Sequence, residues 1–137
     1  MRAITQEELS QILTDHVLWL KDNSIGERAN LTDANLTDAN LTNANLADAN
    51  LTDANLPGAN PRGAFLTDAN LTGVDLSNTK LSGANLSYTN LLGAKFGLNI
   101  IDAASIYYAT FSQDALMWLI LRKDWAEVRD TLKIVNN

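Results

Sequence analysis

From Ala29 to Gln113 the sequence repeats every five residues, and that period fits neither regular element. On an α-helix five residues advance ~500°, so one apolar residue per unit drifts by about 140° and smears round the axis. On a straight strand an odd period sends successive apolar residues to opposite faces. What remains is a chain that turns a corner in every unit and points each apolar centre at a common axis. Such a unit cannot bury its apolar side alone, so coils must stack above and below it.

The block holds 85 residues, 17 units with no insertion, and opens ANLTD, ANLTD, ANLTN, ANLAD, ANLTD. The centres, position i, fall at every fifth residue from Leu31 to Phe111, and Pro61 is the one that is not large and apolar. The small partners at i−2 begin Ala29, Ala34, Ala39 and deviate at Val74, Thr79, Thr89 and Asn99. Strand alternation turns i and i−2 inward, leaving i−1, i+1 and i+2 in water. Those three positions are mostly Asn, Asp, Thr, Ser and Gly. Pro61 lacks a ladder donor and predicts a local distortion in mid-shaft; Asn99 predicts loosening near the far end.

These A(N/D)LTD units resemble the pentapeptide-repeat family. The flanks are similar to its small stand-alone members common in cyanobacteria, with Leu13, His16, Trp19 and Leu20 on an N-terminal helix, then Gly26 and Arg28-Ala29-Asn30-Leu31. The resemblance implies an all-β solenoid with helical caps, a right-handed quadrilateral β-helix with four units per coil. Eighty-five residues then make about four coils, a shaft of only ~20 Å at ~4.8 Å per coil. Face 1 would stack Leu31, Leu51, Leu71, Leu91 and Phe111; face 2, Leu36, Leu56, Leu76 and Phe96. Face 3 would stack Leu41, Pro61, Leu81 and Ile101; face 4, Leu46, Leu66, Leu86 and Ile106. The organisation is a capping helix and linker over 1–28, the repeats over 29–113, and C-terminal helices over 114–137.

Open solenoid ends expose apolar centres and unpaired backbone, so caps are expected. Thr5-Gln6-Glu7-Glu8 reads as a capping box, with Ile4 and Leu9 spaced as a hydrophobic staple. Leu9, Ile12, Leu13, His16, Val17 and Leu20 then share a helical stripe. His16, inside it, is either a pH sensor or ligand, or a half-buried, hydrogen-bonded cap residue; no acidic or Cys partner recurs nearby, which favours the second. At the far end Ala115–Leu121 is apolar all round, and such a helix is buried or meets a partner. Asp124 caps a second helix with Trp125, Val128, Leu132 and Val135 on one stripe. The two helices form either a lid or, through Leu116, Met117, Trp118 and Trp125, a homodimer interface.

Composition removes most chemistry. There is no Cys, hence no disulfide, thiolate nucleophile or sulfur-bound zinc, and one His, hence no multi-His metal site. A filled solenoid has no cleft for catalysis, so no enzyme, cofactor or metal is expected; Asp33 and Asp53 stack as solvated charges. The longest apolar run has seven residues, far below the ~20 of a membrane span, and MRAITQEELS lacks a secretory apolar stretch. A cytoplasmic protein is expected. A net charge of −6 argues against direct nucleic-acid binding.

Seven of the nine aromatics lie after residue 87, so any contact surface should be at that end. Tyr88, Tyr107 and Tyr108 on face 4 are either a patch for an unidentified protein partner or are covered by the C-terminal helices. The Asn column of face 1 (Asn30, Asn50, Asn70, Asn90) reads as an amide ladder between coils; with Thr32, Thr52 and Thr72 an ice- or carbohydrate-binding face is the remote alternative. Some family members mimic duplex DNA and bind DNA gyrase. Here the repeat block carries seven Asp against three bases, a net of −4, where duplex DNA places roughly 12 charges in ~20 Å. The expected role is a non-enzymatic rigid scaffold or protein-interaction module, with a DNA-mimicking gyrase modulator as the alternative.

Overall fold

The computed structural model of the chain describes residues 1–95, 97, 106 and 108–113. Each repeat unit is a short extended piece followed by a turn. Leu31, Thr32, Asp33 and Ala34 form one such turn, closed by Ala34 N–H donating to Leu31 C=O at 3.1 Å. Its third residue, Asp33, has φ 55°, and the same position is left-handed in Asp38, Asn43, Asp48, Asp53, Asp68 and Asn78. A turn of this kind requires positive φ at its third residue, which Gly, Asn and Asp reach at least cost. The Asp/Asn/Gly bias at i+2 is therefore a backbone requirement as well as a solvent preference.

A second local bond fixes the corner. Asn30 Oδ1 accepts from Thr32 N–H at 3.2 Å and from Thr32 Oγ1 at 2.7 Å, and Asn50 and Asn70 repeat the pair with Thr52 and Thr72. The expected amide ladder on face 1 is thus corrected: these side-chain oxygens close turns inside their own units, as Asx turns do. Those Thr hydroxyls already donate to Asn, which removes the regular donor array that an ice-binding face needs. Amides do cross between coils elsewhere, Asn55 Nδ2 to Thr37 Oγ1 and Asn60 Nδ2 to Thr42 Oγ1, both at 3.0 Å. Asp75 stands in for Asn by accepting from Ser77 N–H at 2.9 Å, and that donation holds its carboxyl below the ordinary value.

Coil-to-coil cohesion is carried by the backbone. Parallel bridges join residues 20 apart: Asn30 to Asn50, Asn50 to Asn70 and Asn70 to Asn90 on face 1, continued where β3 (Asn90–Leu91) pairs with β4 (Thr110–Phe111). Twenty residues are four units, so the described centres fall in the columns expected on the four faces. The Leu centres from Leu31 to Leu91 are buried, as are Ile106 and Phe111, each interior Leu contributing about 1.5–3 kcal/mol. Val74 is buried in place of Ala, and Thr79 and Thr89 hide their hydroxyls by donating to Leu56 C=O (3.1 Å) and Leu86 C=O (2.7 Å). Phe96, Asn99 and Ile101 lie outside the described residues.

At Pro61 the expected distortion is confined to the ladder, where no bridge joins Asn60 to Lys80. Pro61 itself is buried, and rungs on both sides of it persist, Lys80 N–H to Ala59 C=O at 3.0 Å and Gly63 N–H to Ser82 C=O at 3.1 Å. Its fixed φ suits the extended segment, so its cost is confined to the donor it lacks.

The N-terminus adds a strand that the repeat pattern does not announce. Strand β1 (Arg2–Ala3) pairs in parallel with β2 (Ala34–Asn35), extending the face 2 ladder by one level. Helix α1 (Gln6–Lys21) follows at once, with Thr5 as N-cap accepting from Glu8 N–H at 3.1 Å. Only half of the expected capping box is made, because Glu8 Oε1 instead pairs with the Arg2 guanidinium at 2.7 Å. Leu9 and His16 are buried and Ile4, Ile12 and Leu13 pack on the core, whereas Val17 is 36% exposed and leaves the expected stripe. No helix among the described residues is long and apolar enough to cross a membrane.

Gly26, at φ 70°, is where the returning chain crosses α1. A Cβ there would lie 2.8 Å from Leu18 Cβ and 2.9 Å from Trp19 N, and closer still to Asp15 C=O. Gly26→Ala should cost about 2 kcal/mol or more, from left-handed strain and a backbone collision that side-chain rotation cannot relieve. Urea unfolding checks this; a midpoint equal to the unsubstituted chain would contradict the crossing geometry.

Candidate functional site

Two places on the molecule concentrate features that the repeat alone does not demand. The first is the seam between α1 and the first coils. His16 is fully buried. Ala29 N–H donates to its Nδ1 at 3.1 Å, so the ring proton sits on Nε2, which donates to Ala47 C=O at 2.9 Å. Both nitrogens are satisfied only in the neutral imidazole, because a proton on Nδ1 would face the Ala29 N–H. Burial lowers its pKa below the usual His value; the Ala47 bond and the Asp48 charge oppose that shift, and Arg28 adds to it. The Trp19 ring stacks on His16 at 5.6 Å, and Arg28 lies over Trp19 at 5.9 Å while its Nε donates to Asp48 C=O at 2.6 Å. Beside this seam a cleft of about 310 Å³ is lined by Arg2, Glu8, Asp15, Glu27 and Arg28. Of the readings open to His16, the geometry supports the hydrogen-bonded cap residue, with the difference that it is wholly rather than half buried.

The second is the aromatic corner of face 4. Tyr88 and Tyr108 occupy successive i+2 positions at φ 61° and 55°. Their rings stack at 4.9 Å with planes 10° apart, close to the ~4.8 Å separation of neighbouring strands. They remain 53% and 39% exposed, and Phe65, at i−1 on the same face, is 52% exposed. A bulky side chain in the left-handed region costs on the order of 1–2 kcal/mol relative to Gly. Nearly every other corner is built from Asp, Asn or Gly, so two exposed tyrosines here are an exception in conformation as well as in chemistry. Stacking returns about 0.5–1.5 kcal/mol, which offsets the strain of one ring and not of both. Tyr88→Asn should therefore shift unfolding free energy by less than about 1 kcal/mol in either direction; a loss above ~2 kcal/mol would make the ring a structural element.

Of the contact residues expected from the sequence, the structure brings Tyr88 and Tyr108 together. Tyr107, Leu116, Met117, Trp118 and Trp125 lie outside the described residues. Leu92, nominally outward, is 43% exposed. The left-handed state of the tyrosine positions was missed at the sequence level, although Asp, Asn or Gly at almost every other i+2 position was its signal. The double anchoring of His16 had no sequence signal, since Ala29 and Ala47 act through their backbone.

A sequence model described as pentapeptide repeats matches residues 29–68 and 64–98, in eight copies. Among solved structures the chain is similar to a pentapeptide-repeat protein, Rfr23, from the cyanobacterium Cyanothece 51142. Identity there is 32% over 63% of this chain and 52% of that one, with a TM-score of 0.51. It is also similar to QnrB1, a plasmid-mediated fluoroquinolone resistance protein, at 20% identity over 75% of this chain and 47% of that one, TM-score 0.58. The second likeness is one of fold. The chain spans about half the length of each of these structures. No curated protein matches.

Proposed function

The chain belongs to the pentapeptide-repeat family, and from that membership we propose that it is a non-enzymatic, rigid protein-interaction module: a right-handed quadrilateral β-helix of about four coils, capped by helices. The observation that carries the reading is the exposed, stacked Tyr88–Tyr108 pair on left-handed corners. A folding requirement would have selected Asn or Gly there, whereas Tyr is favoured at protein contacts. Among the described residues the interior is filled chiefly by Leu and Ala, which supports the non-enzymatic reading. Affinity capture from the native cell extract should retain a partner on the chain and lose it on the Tyr88→Asn/Tyr108→Asn double variant. Identical captured sets would overturn the assignment to this corner. The partner is a protein and the working compartment the cytoplasm in this reading, and a homodimer through the C-terminal end remains its companion proposal.

A second reading, a DNA-mimicking modulator of gyrase, is favoured by the distribution of charge. The repeat units of faces 1 and 4 carry Asp33, Asp53, Asp48 and Asp68 and no base, Arg28 standing ahead of the first unit, while Arg62 and Lys80 sit on face 3. Two carboxylates per face fall well short of the one charge per ~1.7 Å of duplex DNA. A supercoiling assay with and without a fluoroquinolone decides it; no effect at micromolar protein sinks the mimic.

A further inference from the structure

The corner column of face 4 runs Arg28, Asp48, Asp68, Tyr88, Tyr108. The backbone register separates residues 20 apart by one coil, about 4.8 Å, so Asp68 and Tyr88 are immediate neighbours along the shaft. Both are exposed. The units of faces 4 and 1 contain no Lys or Arg, and the bases among the described repeats, Arg62, Lys80 and Lys95, stand on faces 3 and 2. A ring with a carboxylate beside it, and no Lys or Arg in the described repeat units of its own face, is a receptor for a guanidinium, which is drawn both to the aromatic face and to the anion.

The chain already holds one guanidinium against a ring at the head of the same column, there with a backbone carbonyl rather than a carboxylate as acceptor. Arg28 places its guanidinium carbon 5.9 Å from the Trp19 ring centre, and its Nε donates to Asp48 C=O at 2.6 Å. One coil further on, Tyr88 offers a ring and Asp68 a carboxylate in place of that carbonyl, with no arginine of their own units to fill the site.

We propose that the face 4 corner is a docking strip for an extended, arginine-bearing segment of a partner protein, with one guanidinium lying against the Tyr88 ring beside the Asp68 carboxylate. This rests on the reading of the tyrosine pair as a contact surface and adds the chemistry of what it contacts. Exposed charges a few ångströms apart make such binding salt-sensitive.

The test titrates the full chain against a fluorescein-labelled octapeptide of alternating Gly and Arg, and against its twin with citrulline, which keeps the shape and loses the charge. Anisotropy should show the arginine peptide binding about tenfold more tightly than the citrulline twin. Tyr88→Asn should weaken it by about tenfold, and Asp68→Asn by about threefold with a flatter salt dependence. Both substitutions put Asn on a left-handed corner, which it tolerates, so loss of folding does not confuse the result. Equal binding of the two peptides, or binding unchanged in Tyr88→Asn, would overturn the proposal. Concentration-dependent self-association abolished by both Tyr88→Asn and Arg62→Gln would assign the strip to a second copy and overturn it equally. If the double tyrosine variant loses its captured partner while the peptides bind alike, the contact surface stands and its arginine chemistry fails.

Discussion

Leu71→Arg should abolish the cooperative thermal transition of this protein. Leu71 is fully buried in the face 1 column, between Leu51 and Leu91. The substitution removes about 1.5–3 kcal/mol of burial and places a charge where neither an acid nor water is within reach. An uncompensated buried charge costs several kcal/mol more, a large part of the ~5–15 kcal/mol that holds a typical domain together. Asp53→Arg, on an outward corner of the same face, serves as the control and should fold, losing only about 1–2 kcal/mol to its left-handed backbone. Circular dichroism melts of the two variants check the pair, and a Leu71→Arg melt matching the unsubstituted chain would contradict the inward column.

The second large effect belongs to His16. His16→Phe keeps an aromatic ring against Trp19 but strands the buried Ala29 N–H and the part-buried Ala47 C=O, at about 1–3 kcal/mol each, so about 2–6 kcal/mol in total. The imidazole also imposes a pH dependence whose sign follows from its lowered pKa. The unfolded chain takes up the proton near its ordinary value of about 6.5, before the folded chain does. Stability from this group is therefore complete above that value. It declines as pH falls below it, until the folded pKa is reached. Urea unfolding between pH 8 and 5 should show this decline in the unsubstituted chain, superimposed on that of the carboxylates at lower pH. His16→Phe should lack the His component, and parallel profiles for the two proteins would overturn the neutral, doubly bonded imidazole.

The interior was legible because burial is written in side chains. The Leu and Ala positions follow from a period that only a cornered coil can satisfy, and the structure places them where that argument does. The number of units per coil came from family resemblance, since a period of five is silent about how many corners close a turn. Backbone conformation was less legible. Asp33 and Asn43 read as hydrophilic residues until their positive φ shows that the turn needs them, and Asn30 read as a ladder amide although it bonds two residues ahead. Pro61 looked disruptive because its missing donor is visible in the sequence, while the intact rungs beside it are not. Strand β1 escaped notice because two residues carry no period, and β1 is held by backbone pairing. At the candidate site the sequence marked Tyr88 and Tyr108 by type and column. Their stacking and strain depend on the coil spacing and the corner, which no single residue states.

The register of 20 gives the shaft a property akin to a dial. Excising one unit, residues 60–64 for example, would leave every later Leu and Ala on an inward step, because the cut is a whole number of periods. Each later unit would nevertheless move on by one side of the square. Tyr88 would then stand in the column of Asn43 rather than that of Asp48 and Asp68, a quarter turn away. Gain or loss of single units can thus swing a surface patch to a new bearing while the core remains in step, so that in this chain the direction a patch faces is set by a count and not by a contact.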